Sequence, residues 1–223
     1  MEKEKHVLVI FPHPDDEAFS VSGTIARHIH EGTPVTYACL TLGQMGRNLG
    51  NPPFATRESL PHIRKEELQE AARAMGLKDL RMLGYRDKTI EFLNNDVLVD
   101  EFTALIEELN PSLVLSFYPG YSVHPDHDAT AEAVVKTLEK IEEAKRPKLH
   151  CIAFAHNSIE DLGEPDIAVD VKNYADKKVA TVAAHRSQTQ QYTQMLQEGI
   201  QKQDSAVLER LYTERFWSYK FNK

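Results

Sequence analysis

Short apolar runs alternate with amphipathic segments along almost the whole chain, and that alternation leaves few architectures open. The runs fall at 6–11, 33–42, 79–84, 112–117, 148–155 and 166–171 and are rich in Val, Ile and Leu, as strands buried on both faces should be. Between them, 16–31, 61–75, 95–109, a stretch ending near 144, 172–185 and 187–203 carry apolar residues at helical spacing. Ala18, Phe19, Val21, Ile25, Ala26 and Ile29 are the clearest set, with Gly32 as the stop. Alternation of this kind requires right-handed crossovers. The expected fold is therefore α/β and Rossmann-like: one domain over residues 1–223, a mostly parallel sheet with helices on both faces, and an active site at the carboxyl ends of the strands. The last stretch of chain has no clear type.

Two of these runs end in the same kind of residues. His13-Pro14-Asp15-Asp16-Glu17 lies just behind the first run, and His124-Pro125-Asp126-His127-Asp128 lies behind 112–117. In the common strand order 3-2-1-4-5 the first and fourth strands are neighbours, and ligands bind at the switch between them. His13 and Asp16, three apart on a turn running into a helix, can face one point, and His127 from the neighbouring strand end can join them. Three protein donors with positions left open describe a catalytic metal site, whereas structural zinc is closed by four donors rich in Cys. Asp15 is then the natural general base, and His124 an imidazolium facing the substrate, oriented by Asp126 or Asp128. Either cluster alone could be no more than an acidic helix start complementing the dipole. Both at neighbouring strand ends make that reading weak.

Other chemistries keep some ground. Two His and one carboxylate also form the facial triad of non-haem Fe(II) oxygenases, and a silent metal- or sugar-binding module could hold the same donors. No Gly-x-Gly-x-x-Gly or phosphate-binding Gly-Lys-Ser/Thr loop is present, which disfavours nucleotides. The formal charge of −8 argues against nucleic acid or an anionic membrane as partner. No run approaches the ~20 apolar residues of a spanning helix. Cys39 and Cys151 sit inside apolar runs and read as buried, inert thiols. With no secretory signal visible, the expected location is cytoplasmic. The loop at 43–60, rich in Gly, Pro and Asn, is long enough to be a lid or binding loop.

Pro12 to Glu17 together with His124 to His127 resembles the PIG-L/LmbE-like zinc N-deacetylases. The likeness extends through Thr41-Leu42-Gly43, the helix from Ile63, Ala71-Ala72 to Met75-Gly76, and Ala184-His185-Arg186-Ser187-Gln188. The resemblance implies a hydrolase of N-acetylglucosaminyl amides with zinc as cofactor, Fe²⁺ accepting the same donors. It implies His13, Asp16 and His127 as metal ligands, Asp15 as base and His124 as its partner, and a homo-oligomer, trimer or hexamer. Arg64 and Asp87 match positions that hold the sugar and an anionic aglycone, and Arg47 on the long loop is a candidate clamp for that anion. The loop ending in Arg57-Glu58-Ser59-Leu60-Pro61 looks most like the bacillithiol-pathway branch, which implies N-acetylglucosaminyl-malate as the small-molecule substrate. Two departures stand out. Family members often have Glu where this chain has Gln44, and several place an oxyanion-binding Tyr where Ser122 stands, with Tyr121 one step earlier. His185 is read as a helix-end cation or a site residue.

Overall fold

A computed structural model describes residues 3–221. β1 (Val7–Phe11) turns at 12–15 into α1 (Asp16–Ser20) and α2 (Ser22–His30). β2 (Val35–Thr41) is followed by a long loop and α3 (Leu60–Met75). β3 (Asp79–Tyr85) leads to α4 (Asn95–Leu109), and β4 (Leu113–Phe117) to α5 (Pro125–Glu139). β5 (Lys148–Ile152), α6 (Ser158–Leu162) and β6 (Ile167–Asp170) precede α7 (Ala175–Ala184), α8 (Arg186–Gln201), α9 (Ser205–Tyr212) and β7 (Thr213–Ser218). The sheet order is β3-β2-β1-β4-β5-β7-β6, so the expected 3-2-1-4-5 set is present. β1 pairs in parallel with both β2 and β4.

Alternation along β1 divides the core in two. Val7, Val9 and Phe11 face one layer with Ile25, Leu68 and Met75; Leu8 and Ile10 face the other with Leu98, Phe102 and Leu138. All five β1 side chains are fully buried. At about 1.5–3 kcal/mol for each large apolar side chain removed from water, this strand is a firmly held place from which to project a site. No helix among the described residues is long and apolar enough to cross a membrane.

Three features depart from the sequence expectation. The helix expected over 16–31 breaks at Val21 (φ −138°) into α1 and α2. Buried Glu214 of β7 accepts from Gly23 N and Thr24 N at 2.9 and 2.7 Å, so a carboxylate from the far end of the chain starts α2 afresh. The helix expected to run to about 144 stops at Glu139. The unassigned last stretch supplies α9 and then β7, which is antiparallel to both β5 and β6 and seats the latter on the sheet.

β5 also carries a pH liability. Burial pushes the His150 imidazole down to about 4, outweighing the opposing pull of Glu4. Its unfolded value is about 6.5, so the folded state binds fewer protons. Stability is complete above roughly pH 6.5 and is lost as pH falls toward 4. Calorimetric Tm should therefore drop between pH 7 and pH 5, and His150→Gln should flatten the drop. Identical slopes in the two proteins would clear His150.

Candidate active site

β1 and β4 end side by side, and the residues just beyond them meet at one cleft. Its walls are His13, Asp15, Asp16, Arg64, His124 and His127, with Arg47, Asp87 and Lys88 among the rest, and its volume is about 460 Å³. A slightly larger concavity of about 510 Å³ lies far from these groups, between the start of β5 and Phe221. Among the described residues no cluster of metal-ligating side chains gathers there. Size does not locate the chemistry here.

The three expected ligands form a triangle. His13 Nδ1 lies 3.1 Å from His127 Nε2. His127 Nε2 lies 3.2 Å from Asp16 Oδ1, and His13 Nδ1 lies 3.7 Å from Asp16 Oδ2. Donors around a tetrahedral ion with bonds of about 2.0–2.1 Å stand roughly 3.3–3.4 Å apart; the two ring nitrogens, and His127 with Asp16 Oδ1, lie near that spacing, while Asp16 turns its other oxygen to His13. Each ring is aimed by its other nitrogen. His127 Nδ1 meets Ser122 O at 3.1 Å, and the ring stacks on Phe117 at 4.2 Å. His13 Nε2 meets both Asp126 Oδ2 and Asp87 Oδ1 at 3.2 Å. Carboxylates behind a ligating imidazole fix its tautomer and raise its basicity.

That placement differs from the expected roles of Asp126 and Asp87. Asp126 is fully buried behind His13, where it also accepts from Lys88 N at 2.7 Å and Ile90 N at 3.1 Å. It contributes only its backbone N–H to His124, and Asp128 is taken up by Gly120 N and Ser122. Neither carboxylate orients the His124 ring. Asp87 is buried as well, bonded to His13 and to Met45 N at 2.7 Å, and it also lines the cleft. Gln44 latches the turn by accepting from Asp87 N at 3.0 Å. Burial draws the His13 imidazole downward, but its bonds to Asp126 and Asp87 and the charge of Asp16 prevail and raise it to about 10. A cation binding there must displace that proton.

Asp15 sits at φ 96°, a left-handed conformation that Asp tolerates better than most residues. Its side chain makes no helix cap and turns instead to Arg64 Nη2 at 3.0 Å. Burial pushes the Asp15 carboxyl up to about 6, against the pull of Arg64 and with help from Asp16. That value suits a base working near neutrality. Arg64 is itself buried; it donates to Gly43 O and Pro14 O besides Asp15. Gly43 (φ +58°) is required beneath it, because a Cβ there would stand 1.8 Å from Arg64 Nη1. Arg64 therefore spends both Nη atoms on protein acceptors, Asp15 among them, while its buried Nε has no partner.

His124 accepts from Asp126 N at Nδ1, at 3.2 Å. Burial, then the nearby His13 and His127, lower its pKa. With Nδ1 accepting, Nε2 is the nitrogen left to donate into the cleft. The Tyr121 hydroxyl meets Asp161 at 3.2 Å and is not part of the cleft wall. His185 is fully buried, with Nε2 at 2.6 Å from Glu17 Oε1. Glu17 also accepts from Asp15 N and the Tyr37 hydroxyl, both at 3.1 Å. In sequence Glu17 only extends an acidic helix start; its place next to Asp16 is the one signal there of this buried role.

Residues 8–138 match the family described as PIG-L, GlcNAc-PI de-N-acetylase. A protein of Bacillus anthracis described as "Probable N-acetyl-alpha-D-glucosaminyl L-malate deacetylase 2" is 51% identical over 221 residues, covering 99% of this chain and 98% of that one. A Bacillus cereus protein of the same description is 49% identical over 218 residues, covering 98% and 99%. Among solved structures, N,N'-diacetylchitobiose deacetylase from Pyrococcus horikoshii superposes with a TM-score of 0.74, over 98% of this chain and 85% of that one. At 24% identity that likeness is one of fold.

Proposed function

The chain belongs to the PIG-L family of GlcNAc-PI de-N-acetylases, and from that premise we propose that it removes the N-acetyl group of N-acetyl-alpha-D-glucosaminyl L-malate, with zinc as its ion. The observation that carries the chemistry is the triangle of His13, Asp16 and His127 at two neighbouring strand ends, with Asp15 beside it on the cleft. The malate conjugate is supported by the names of near-full-length relatives at about half identity.

In this reading His13, Asp16 and His127 hold the ion, which when bound supplies Lewis-acid chemistry, polarising an amide carbonyl and acidifying a water. Asp15 takes the proton of the attacking water, its carboxylate steadied by Arg64. His124 Nε2–H donates to the carbonyl oxygen as negative charge develops on it. The proton held by Asp15 then goes to the departing amine, leaving acetate and a free glucosamine nitrogen.

Acetate release from N-acetylglucosaminyl-malate, with and without a chelator, tests this. Acetate and free amine should appear in equal amounts without oxygen uptake, stop on chelation and return with zinc. Failure to release acetate, or full activity in excess chelator, would overturn the reading. It also carries a trimer or hexamer in the cytoplasm, which light scattering and cell fractionation check.

A further inference from the structure

We propose that Lys88, together with Arg47, takes the carboxylates of the substrate's aglycone and so sets the preference for an anionic conjugate. The inference rests on the deacetylase reading above. The cleft is acidic, with Asp15, Asp16 and Asp87 on its walls, in a chain of formal charge −8. A dicarboxylate aglycone can approach it only where cations offset that field. Three Lys or Arg side chains line the cleft: Arg47, Arg64 and Lys88. Arg64 is buried and occupied by Gly43 O, Pro14 O and Asp15. Arg47 and Lys88 are exposed, and among the described residues neither side chain has a hydrogen-bond or ion-pair partner.

Lys88 is also well anchored. Its backbone adopts φ +62°, and its N–H donates to Asp126 Oδ2 at 2.7 Å, while Asp126 in turn meets His13. The stem of the lysine therefore starts from a point tied, through one carboxylate, to a metal ligand. Arg47 starts from the long loop, whose neighbours Gly46 and Asn48 are bonded to Arg57 and Gln188. A cleft of about 460 Å³ has room for one sugar with a small acid attached.

The test compares kcat/KM for N-acetylglucosaminyl-malate with that for methyl N-acetylglucosaminide, whose aglycone is neutral. Lys88→Met keeps the Cβ at the left-handed position, so the turn is not altered by a change in backbone preference. In Lys88→Met and in Arg47→Met the ratio of the two values should fall about 10-fold, mainly through KM, since a charge-assisted bond made in both ground and transition states is lost. Lys88→Arg should restore most of the ratio, and added salt should weaken the wild-type preference more than that of either Met variant. Unchanged ratios in both variants would overturn the proposal, as would a proportional loss on both substrates in Lys88→Met, which marks a role in the turn alone. A wild-type enzyme that cleaves neither substrate fails the deacetylase assignment and the clamp with it, whereas one that deacetylates both and prefers the neutral substrate keeps that assignment and overturns the clamp. A preserved wild-type preference with unaffected variants fails the clamp only.

Discussion

His127→Ala is expected to cost the protein its divalent ion and, with it, measurable hydrolysis. Ser122 O and the face of Phe117 fix the ring so that Nε2 completes the triangle with His13 and Asp16. Groups that merely orient a ligand already change metal affinity by about 10–100-fold, and a ligand itself should exceed that. The informative control is His124→Ala. One ring nitrogen each of His13, His124 and His127 lies within 4.8 Å of the others, so His124 is a competing third ligand. Its Nδ1, however, is engaged by Asp126 N. Metal analysis after dialysis should find the ion retained in His124→Ala and missing from His127→Ala. The reverse pattern would replace the ligand set.

Asp15→Asn should leave the ion in place while kcat falls by about 10²–10⁴-fold, the usual contribution of a general base. Asparagine is the informative substitute because it also tolerates the left-handed region, so φ 96° at this position survives the change. Its amide oxygen can still accept from Arg64, which remains buried. What the variant lacks is the ability to take a proton. A loss of less than about threefold, in protein with full metal content, would remove Asp15 from the reaction.

What the sequence could reveal was set by how local the cause is. β1 and β4 are legible because each is a run of apolar residues, and the His/Asp clusters behind them announce a shared site once the strand order is assumed. The break at Val21 is not legible, since the apolar spacing runs through it and the cause, Glu214, lies at the other end of the chain. β7 is hidden for a related reason: Thr213, Glu214 and Arg215 give it a polar start, and its pairing depends on β5 and β6. The roles of Arg64, Asp87 and Asp126 needed tertiary structure. Only when the turn at 86–90 closes over the start of α5 do two carboxylates meet one nitrogen of His13. Likewise, only the approach of α3 to the turn at 12–15 shows that Arg64 serves Asp15.

The long loop after β2 is not an independent module. Asn48 and Gln188 exchange bonds, Asn48 Nδ2 to Gln188 O at 3.2 Å and Gln188 Nε2 to Asn48 O at 2.7 Å. Asn51 N donates to Gln190 Oε1 at 2.5 Å, and Gly43 makes room for Arg64. Anyone redesigning the aglycone preference by grafting this loop from a relative must therefore transplant positions 188 and 190 of α8 with it, and keep glycine at 43 wherever arginine stays at 64. The unit of exchange is a loop with its distant anchor points, so chimaeras cut only at the loop's ends should lose the loop's placement along with the old specificity.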